Sequence, residues 1–166
     1  VQNAGASSVR GFEIESSYAL NDEIDLYGSI GYTKTQFDDF QVRISGELID
    51  FTGNEFGFAP EWTLNAGTTW RRDNWIANVN VNYSSEAFVR AARIQTVRLA
   101  GERILVNFRA GWENDNFGLF LTGQNLFDVD YIITQFPNDP GVPTSPPQFA
   151  DFGDPRTVSL QFEYRL

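Results

Sequence analysis

The chain has 166 residues, enough for one ordinary domain, and its formal net charge of −10 argues against a binder of nucleic acid, which needs a basic footprint. Cys and His are both absent, which excludes disulfides, thiol nucleophiles and His/Cys zinc sites and leaves acid–base work to carboxylates alone. Aromatic residues reach 15%, with fifteen Phe, against 20% Asp, Glu, Lys and Arg together, an odd ratio for a water-solvated surface.

No run of eighteen apolar residues occurs, so a transmembrane helix is excluded. The recurring signal has period two, the mark of strands with one apolar face. The first run, Val9–Leu20, sets Phe12, Ile14 and Tyr18 against Glu13 and Glu15. After Asn21-Asp22-Glu23, a second sets Leu26, Ile30 and Tyr32 against Asp25, Tyr27, Ser29 and Thr33. A long link, roughly residues 36–59, precedes the third, where Trp62, Leu64, Ala66, Thr68 and Trp70 oppose Thr63, Asn65, Gly67 and Thr69. Arg71-Arg72-Asp73-Asn74 leads to the fourth, with Ala77, Val79, Val81 and Tyr83 backed by Asn78, Asn80, Asn82 and Ser84. A second long link, about 85–102, leads to Val106, Phe108, Ala110 and Trp112 against Asn107, Arg109, Gly111 and Glu113. Asn114-Asp115-Asn116 then turns into Phe117, Leu119 and Leu121, opposed by Gly118, Phe120 and Thr122. The third long link, about 127–156, holds six prolines and reads as a stiff surface loop, with Tyr131–Phe136 as a short eighth strand or an extension. The closing run sets Val158, Leu160, Phe162, Tyr164 and Leu166 against Ser159, Gln161, Glu163 and Arg165.

The expectation is an all-β, antiparallel meander of about seven strands, with tight Asn/Asp turns on one rim and long links on the other. Alternation alone fits a soluble β domain or a membrane barrel. Three features favour the barrel: aromatic residues gather where strands meet the short turns (Tyr18, Trp70, Trp75, Trp112, Phe117, Tyr164), the opposite face suits a watery lumen, and the rims are unequal. An open sheet in hydrocarbon would leave unpaired N–H and C=O groups at both edges, so seven strands describe part of a larger barrel.

Four segments carry a resemblance: S-S-V-R-G-F-E-I-E (7–15), T-G-N-E-F-G-F-A-P-E-W-T-L-N (52–65), I-L-V-N-F-R-A-G-W-E-N-D-N-F-G-L-F-L-T-G-Q-N-L-F-D-V-D-Y (104–131) and G-D-P-R-T-V-S-L-Q-F-E-Y-R-L (153–166). Together they resemble the C-terminal part of a TonB-dependent outer-membrane receptor. The resemblance implies that residues 1–166 are roughly strands 16 to 22 of a transmembrane β-barrel of about 22 strands, with the plug domain outside the chain. It further implies a bacterial outer-membrane location, a periplasmic C-terminus and a parent that takes up a scarce nutrient such as a ferric siderophore, a cobalamin-like ligand or an oligosaccharide. Implied partners are outer-membrane lipid and lipopolysaccharide, the remaining barrel strands and plug, the barrel-assembly machinery, and the TonB complex through the N-terminal part alone. The family usually ends in an aromatic residue, whereas this chain ends in Leu166. The alternatives are a passive porin-like or structural barrel and a soluble β-rich binding module.

Candidate ligand contacts are Arg90, Arg93 and Arg98 in the second long link, where guanidinium forks would suit carboxylate or phosphate, and Phe149 and Phe152 beside the prolines. The blander readings are neutralisation of the acidic first link (Asp38, Asp39, Glu47, Asp50, Glu55), contact with lipopolysaccharide phosphates, and pinning of the loop to the mouth. Asn125-Leu126-Phe127-Asp128 reads as a local bend whose side chains bond nearby backbone. Glu13, Glu15, Asp25, Arg109, Glu113, Glu163 and Arg165 are expected to face the lumen. Val158, Leu160, Phe162, Tyr164 and Leu166 match a barrel-assembly signal in pattern. No catalytic residue, metal site or cofactor is expected.

Overall fold

The computed structural model describes residues 5–44, 46–89, 100–137 and 147–165. Among these residues the secondary structure is β1 (Ala6–Ala19), β2 (Ile24–Asp39), β3 (Gln41–Ile44), β4 (Glu47–Asp50), β5 (Trp62–Arg72), β6 (Trp75–Ser84), β7 (Arg103–Glu113), β8 (Phe117–Gln124), β9 (Ile132–Pro137), β10 (Pro147–Phe152) and β11 (Thr157–Tyr164). Seven strands make one antiparallel sheet in the order β1-β2-β5-β6-β7-β8-β11, so each wall strand lies beside the next wall strand in the chain. The sheet is open, with β1 and β11 at its edges.

The short turns close by the chemistry their residues supply. Asn21 Oδ1 accepts from the backbone N–H of Glu23 and of Ile24, each at 2.9 Å. Asn114 Oδ1 repeats the device with Asn116 at 3.0 Å and Phe117 at 2.8 Å. Between Arg72 and its partner Trp75 the turn has only Asp73 and Asn74, and Asp73 takes φ 51°, a left-handed conformation that Asp tolerates.

Register places the apolar residues of adjacent strands side by side: Ala66 with Val81, Val81 with Val106, Val79 with Phe108, and Leu121 with Leu160. That face is exposed, with Leu160 at 70% and Phe162 at 67%. The inverse of a soluble protein's burial is what lipid as the outer solvent requires.

Aromatic rings bound this apolar face at both ends. Toward the short turns, Trp75 stands opposite Trp112, and Phe117 packs on Tyr164 with centroids 5.2 Å apart. Toward the long links, Phe12, Tyr32 and Trp62 form a cluster with centroid separations of 5.8, 4.7 and 6.0 Å. Trp62 and Trp70 lie eight positions apart on β5, about 26 Å at ~3.3 Å per residue, or roughly 20 Å along the membrane normal at a tilt of ~40°. This approaches the height of a lipid-facing band.

The long links carry more structure than alternation revealed. β2 continues to Asp39, and its extension supports the β3–β4 hairpin through a cluster of Phe37, Phe40, Phe51 and Phe56, with neighbouring ring centroids 4.6–5.4 Å apart. Lys34 Nζ holds Glu55 at 2.9 Å and Glu61 at 2.6 Å, and these hydrogen bonds keep its ammonium above the usual lysine range. Thr35, buried, accepts the Phe56 N–H at 3.0 Å. In the third link, β9 and β10 pair in a separate two-stranded sheet, so Tyr131–Phe136 supplies a rim hairpin and no wall strand. Backbone bonds also cross between links: Phe58 N–H to Phe88 C=O at 2.6 Å, and Gly101 N–H to Ile132 C=O at 3.3 Å.

Candidate functional site

The inner face is the surface on which polar side chains converge. Three asparagines on β6 point the same way because they sit at alternate positions, and register adds Asn65 from β5 opposite Asn82 and Asn107 from β7 opposite Asn80. Their amides form one chain. Asn65 Nδ2 donates to Asn82 Oδ1 at 2.6 Å, Asn82 Nδ2 to Asn80 Oδ1 at 2.8 Å, and Asn80 Nδ2 to Asn78 Oδ1 at 3.3 Å. Asn107 Nδ2 joins at Asn80 Oδ1, 3.0 Å away. At one end Asn78 Nδ2 reaches Tyr27 Oη and Thr68 C=O, each at 3.0 Å, and Thr69 Oγ1 at 2.9 Å.

Two aromatic rings lie on this face, each over glycine. Tyr27 lies across Gly67, where a Cβ would meet its ring at 2.4 Å. Phe120, only 3% exposed, lies across Gly111 and Gly118, where a Cβ would meet it at 2.4 and 2.8 Å. Glycine lets a ring lie flat on the sheet and cover backbone otherwise left bare. Three inner arginines hold carboxylates: Arg71 with Asp25 at 2.8 Å, Arg109 with Glu163 at 3.5 Å, and Arg165 with Glu113 at 3.0 Å and Glu163 at 3.1 Å. Their exposure keeps each pair worth little in stability.

The amide chain continues to the long-link rim. Asn107 Oδ1 accepts the backbone N–H of Asn125 at 3.0 Å. Asn125 is buried at φ 49°; its Nδ2 donates to the carbonyls of Val129 and Asp154, each at 3.0 Å, and its Oδ1 accepts from Val129 N–H at 2.9 Å. Asp128, at φ 53°, accepts the Arg156 N–H at 2.9 Å. The Asn125–Asp128 segment is therefore the local bend expected from its residues, and it ties the end of β8 to the approach to β11.

Of the ligand contacts expected from sequence, Arg90, Arg93 and Arg98 lie outside the described residues. Phe149 lies opposite Phe136 in the β9–β10 register; its side chain is outside the description, and Phe152 is exposed. These phenylalanines belong to the β9–β10 pair, whose Ile133 lines a cavity with Asn65 and Asn82. Arg103, just beyond the second link, begins β7 and places its guanidinium 5.4 Å from the Tyr131 ring centroid. Glu13 and Glu15 share the inner face with Tyr27 by register. In the acidic first link, Asp38 accepts Ser8 Oγ at 3.2 Å, and hydrogen bonds from Thr52 draw the Asp50 carboxyl below its usual range. Val158, Leu160, Phe162 and Tyr164 line the outer face of edge strand β11, while Leu166 lies outside the described residues. The asparagine chain was visible in sequence only as hydration of a polar face. Its signal is Asn78, Asn80 and Asn82 at alternate positions, but the partners on β5 and β7 need register.

A family model described as "TonB dependent receptor-like, beta-barrel" matches residues 1–126. Among solved structures, the chain is similar to the ferric yersiniabactin uptake receptor FyuA from Yersinia pestis, with a TM-score of 0.76 and 17% identity over 96% of this chain and 24% of that one. It is also similar to the ferric citrate transporter FecA in its unliganded form, with a TM-score of 0.72 and 20% identity over 94% of this chain and 24% of that one. Both likenesses are of fold, and the chain spans about a quarter of the length of each.

Proposed function

The chain belongs to the TonB-dependent receptor β-barrel family, and on that premise we propose that it is a stretch of barrel wall from an outer-membrane receptor that takes up a scarce nutrient, a ferric siderophore or a ligand of similar size, with energy supplied through TonB. The observation that carries the reading is the inverted burial of the sheet: apolar side chains outward between two aromatic belts, ion pairs and amides inward. FyuA and FecA, by name an uptake receptor and a transporter of ferric ligands, share that fold and favour transport over catalysis.

In this reading the plug and the remaining strands lie elsewhere in the receptor, and the TonB complex meets only the receptor's N-terminal part. The short turns at Asp22, Asp73 and Asp115 face the periplasm, as does the C-terminus, and the long links face outward toward lipopolysaccharide. The outer-face pattern Val158, Leu160, Phe162, Tyr164 and Leu166 serves as the strand read by the barrel-assembly machinery. The arginines at 90, 93 and 98, with Phe149 and Phe152, are the rim groups proposed to meet incoming ligand.

The test is uptake by intact cells making the complete receptor, with and without a functional TonB complex. Uptake that stops without TonB supports the reading; uptake that persists and depends only on solute size favours a passive pore. A single cysteine at position 73 that reacts with an impermeant reagent in intact cells would overturn the orientation.

A further inference from the structure

We propose that Arg165 sets the register of the closing strand β11 by reaching across β8 to a carboxylate on β7. The inference goes beyond the uptake reading and depends only on the barrel fold, whatever the receptor carries.

The connections create the need for such a residue. β1–β2, β5–β6 and β7–β8 each close through a short turn, and a short turn fixes the pairing of its strands. β8 and β11 are joined instead through residues 125–156, so no tight turn sets their pairing. Hydrophobic alternation decides only part of it. A slip of one residue would turn Leu160 and Phe162 inward to water, but a slip of two keeps every side chain on its own face. Leu160 would then leave Leu121 for Leu119 or Gly123, and lipid would still cover it.

The inner face distinguishes these registers. Glu113 on β7 and Glu163 on β11 both stand opposite Gly118 of β8, one on each side. Gly118 has no side chain to part them (a Cβ there would meet the Phe120 ring at 2.8 Å). The Arg165 guanidinium bonds both carboxylates, Glu113 at 3.0 Å and Glu163 at 3.1 Å. The other oxygen of Glu163 holds Arg109 at 3.5 Å, so the end of β11 is tied to β7 twice. β7 serves as a fixed ruler, since Asn114, next to Glu113, caps the β7–β8 turn. A slip of two residues carries Glu163 off Gly118, onto the Phe120 ring in one direction and onto Asn116 of the turn in the other. These pairs are exposed and add little to stability, but a choice between registers needs only a difference between them. The β8–β11 register in turn sets the stagger with which β11 meets the strand that closes the barrel.

The experiment is disulfide trapping in cells that make the complete receptor with no other cysteine; residues 1–166 contribute none. Thr122→Cys is combined with Ser159→Cys, its native partner, or with Thr157→Cys or Gln161→Cys, which face it after a slip of two. The expected result is that only the Ser159 pair cross-links efficiently when the charges are intact. Arg165→Gln, and Glu113→Gln together with Glu163→Gln, lower the ratio of native to slipped cross-link about fivefold, whereas Arg165→Lys keeps it within about twofold. Heat-modifiable gel mobility confirms insertion, and Glu113→Gln alone stands in for a variant that does not insert, with the same fall expected. An unchanged ratio in the inserted variants overturns the proposal. So does a ratio that falls with Asn125→Ala, at the rim end of the link, but not with Arg165→Gln.

Discussion

The Arg109 guanidinium lies over the Phe120 ring, 4.0 Å from its centroid, on an inner face that is otherwise largely polar. The ring is sealed from both sides, by glycine backbone below and by the cation above, and Glu163 fixes the cation from the neighbouring strand.

Phe120→Ala should therefore cost about 3 kcal/mol, since it uncovers Gly111 and Gly118 and removes the seat of Arg109. Gly111→Ala should also destabilise the wall, because the new Cβ would meet Leu119 C=O and the Phe120 ring, each at 2.4 Å. Equilibrium unfolding of the complete receptor in lipid vesicles, followed by tryptophan fluorescence, measures both. A cost below about 1 kcal/mol for Phe120→Ala would mean that the ring does not act as a cover.

The two faces should respond oppositely to charge. Val81 pairs with Ala66, midway between the level of Trp62 and that of Trp70, so Val81→Arg should cost about 2–4 kcal/mol at mid-bilayer. Asn80→Arg should cost about 1 kcal/mol, for ladder bonds lost beside water. The same unfolding assay compares them, and equal penalties would contradict the assignment of faces.

Asn125→Ala strands the Val129 N–H and the Val129 and Asp154 carbonyls and places Ala at φ 49°, so a loss of about 3 kcal/mol is expected. Asn125→Gly should fall between Ala and wild type, because it accepts the backbone angle but makes none of the side-chain bonds. Asn125→Asp should be the worst, turning a carboxylate toward two carbonyls. Thermal unfolding of the three variants should give that order.

Asp50 gives a pH dependence. Hydrogen bonds from the Thr52 hydroxyl and from the Thr52 N–H, the latter at 2.9 Å, lower its folded pKa below the usual 3.8. A lowered carboxylate pKa contributes stability that is present above the unfolded value and lost as pH falls through the folded one. Amide exchange at Thr52 should thus be slow above about pH 4 and should lose protection in stronger acid. Asp50→Asn should abolish that acid step, and an unchanged step in the variant would assign it to another group.

Legibility in the sequence followed side-chain periodicity. From Trp62 to Trp70 and from Trp75 to Tyr83, apolar residues at every second position but Thr68 and a two-residue Asp-Asn turn specify strand, face and hairpin together. The far end of β2 is silent in the sequence because Lys34, Thr35, Gln36, Asp38 and Asp39 show no apolar alternation; the run from Lys34 to Gln36 is paired by backbone to Arg10, Val9 and Ser8, where no lipid imposes a pattern. β3 and β4 are four residues each, too short to display a period, and depend on Phe37, Phe40, Phe51 and Phe56 meeting across the link. The polarity of the inner face is plain from Asn78, Asn80 and Asn82, but its hydrogen-bond order depends on cross-strand partners up to 51 positions away. Composition reports that a wall is wet, and register decides what it can grip.

The bonds from Phe58 to Phe88 and from Gly101 to Ile132 bear on how such a rim can be exchanged. A link transplanted alone into another receptor would arrive without the carbonyl or the N–H that its neighbour supplies, and the recipient would lose the matching group. Diversification of this mouth is therefore coupled: the second link is bonded to both the first and the third, so the three exchange as one unit and each is a poor module by itself.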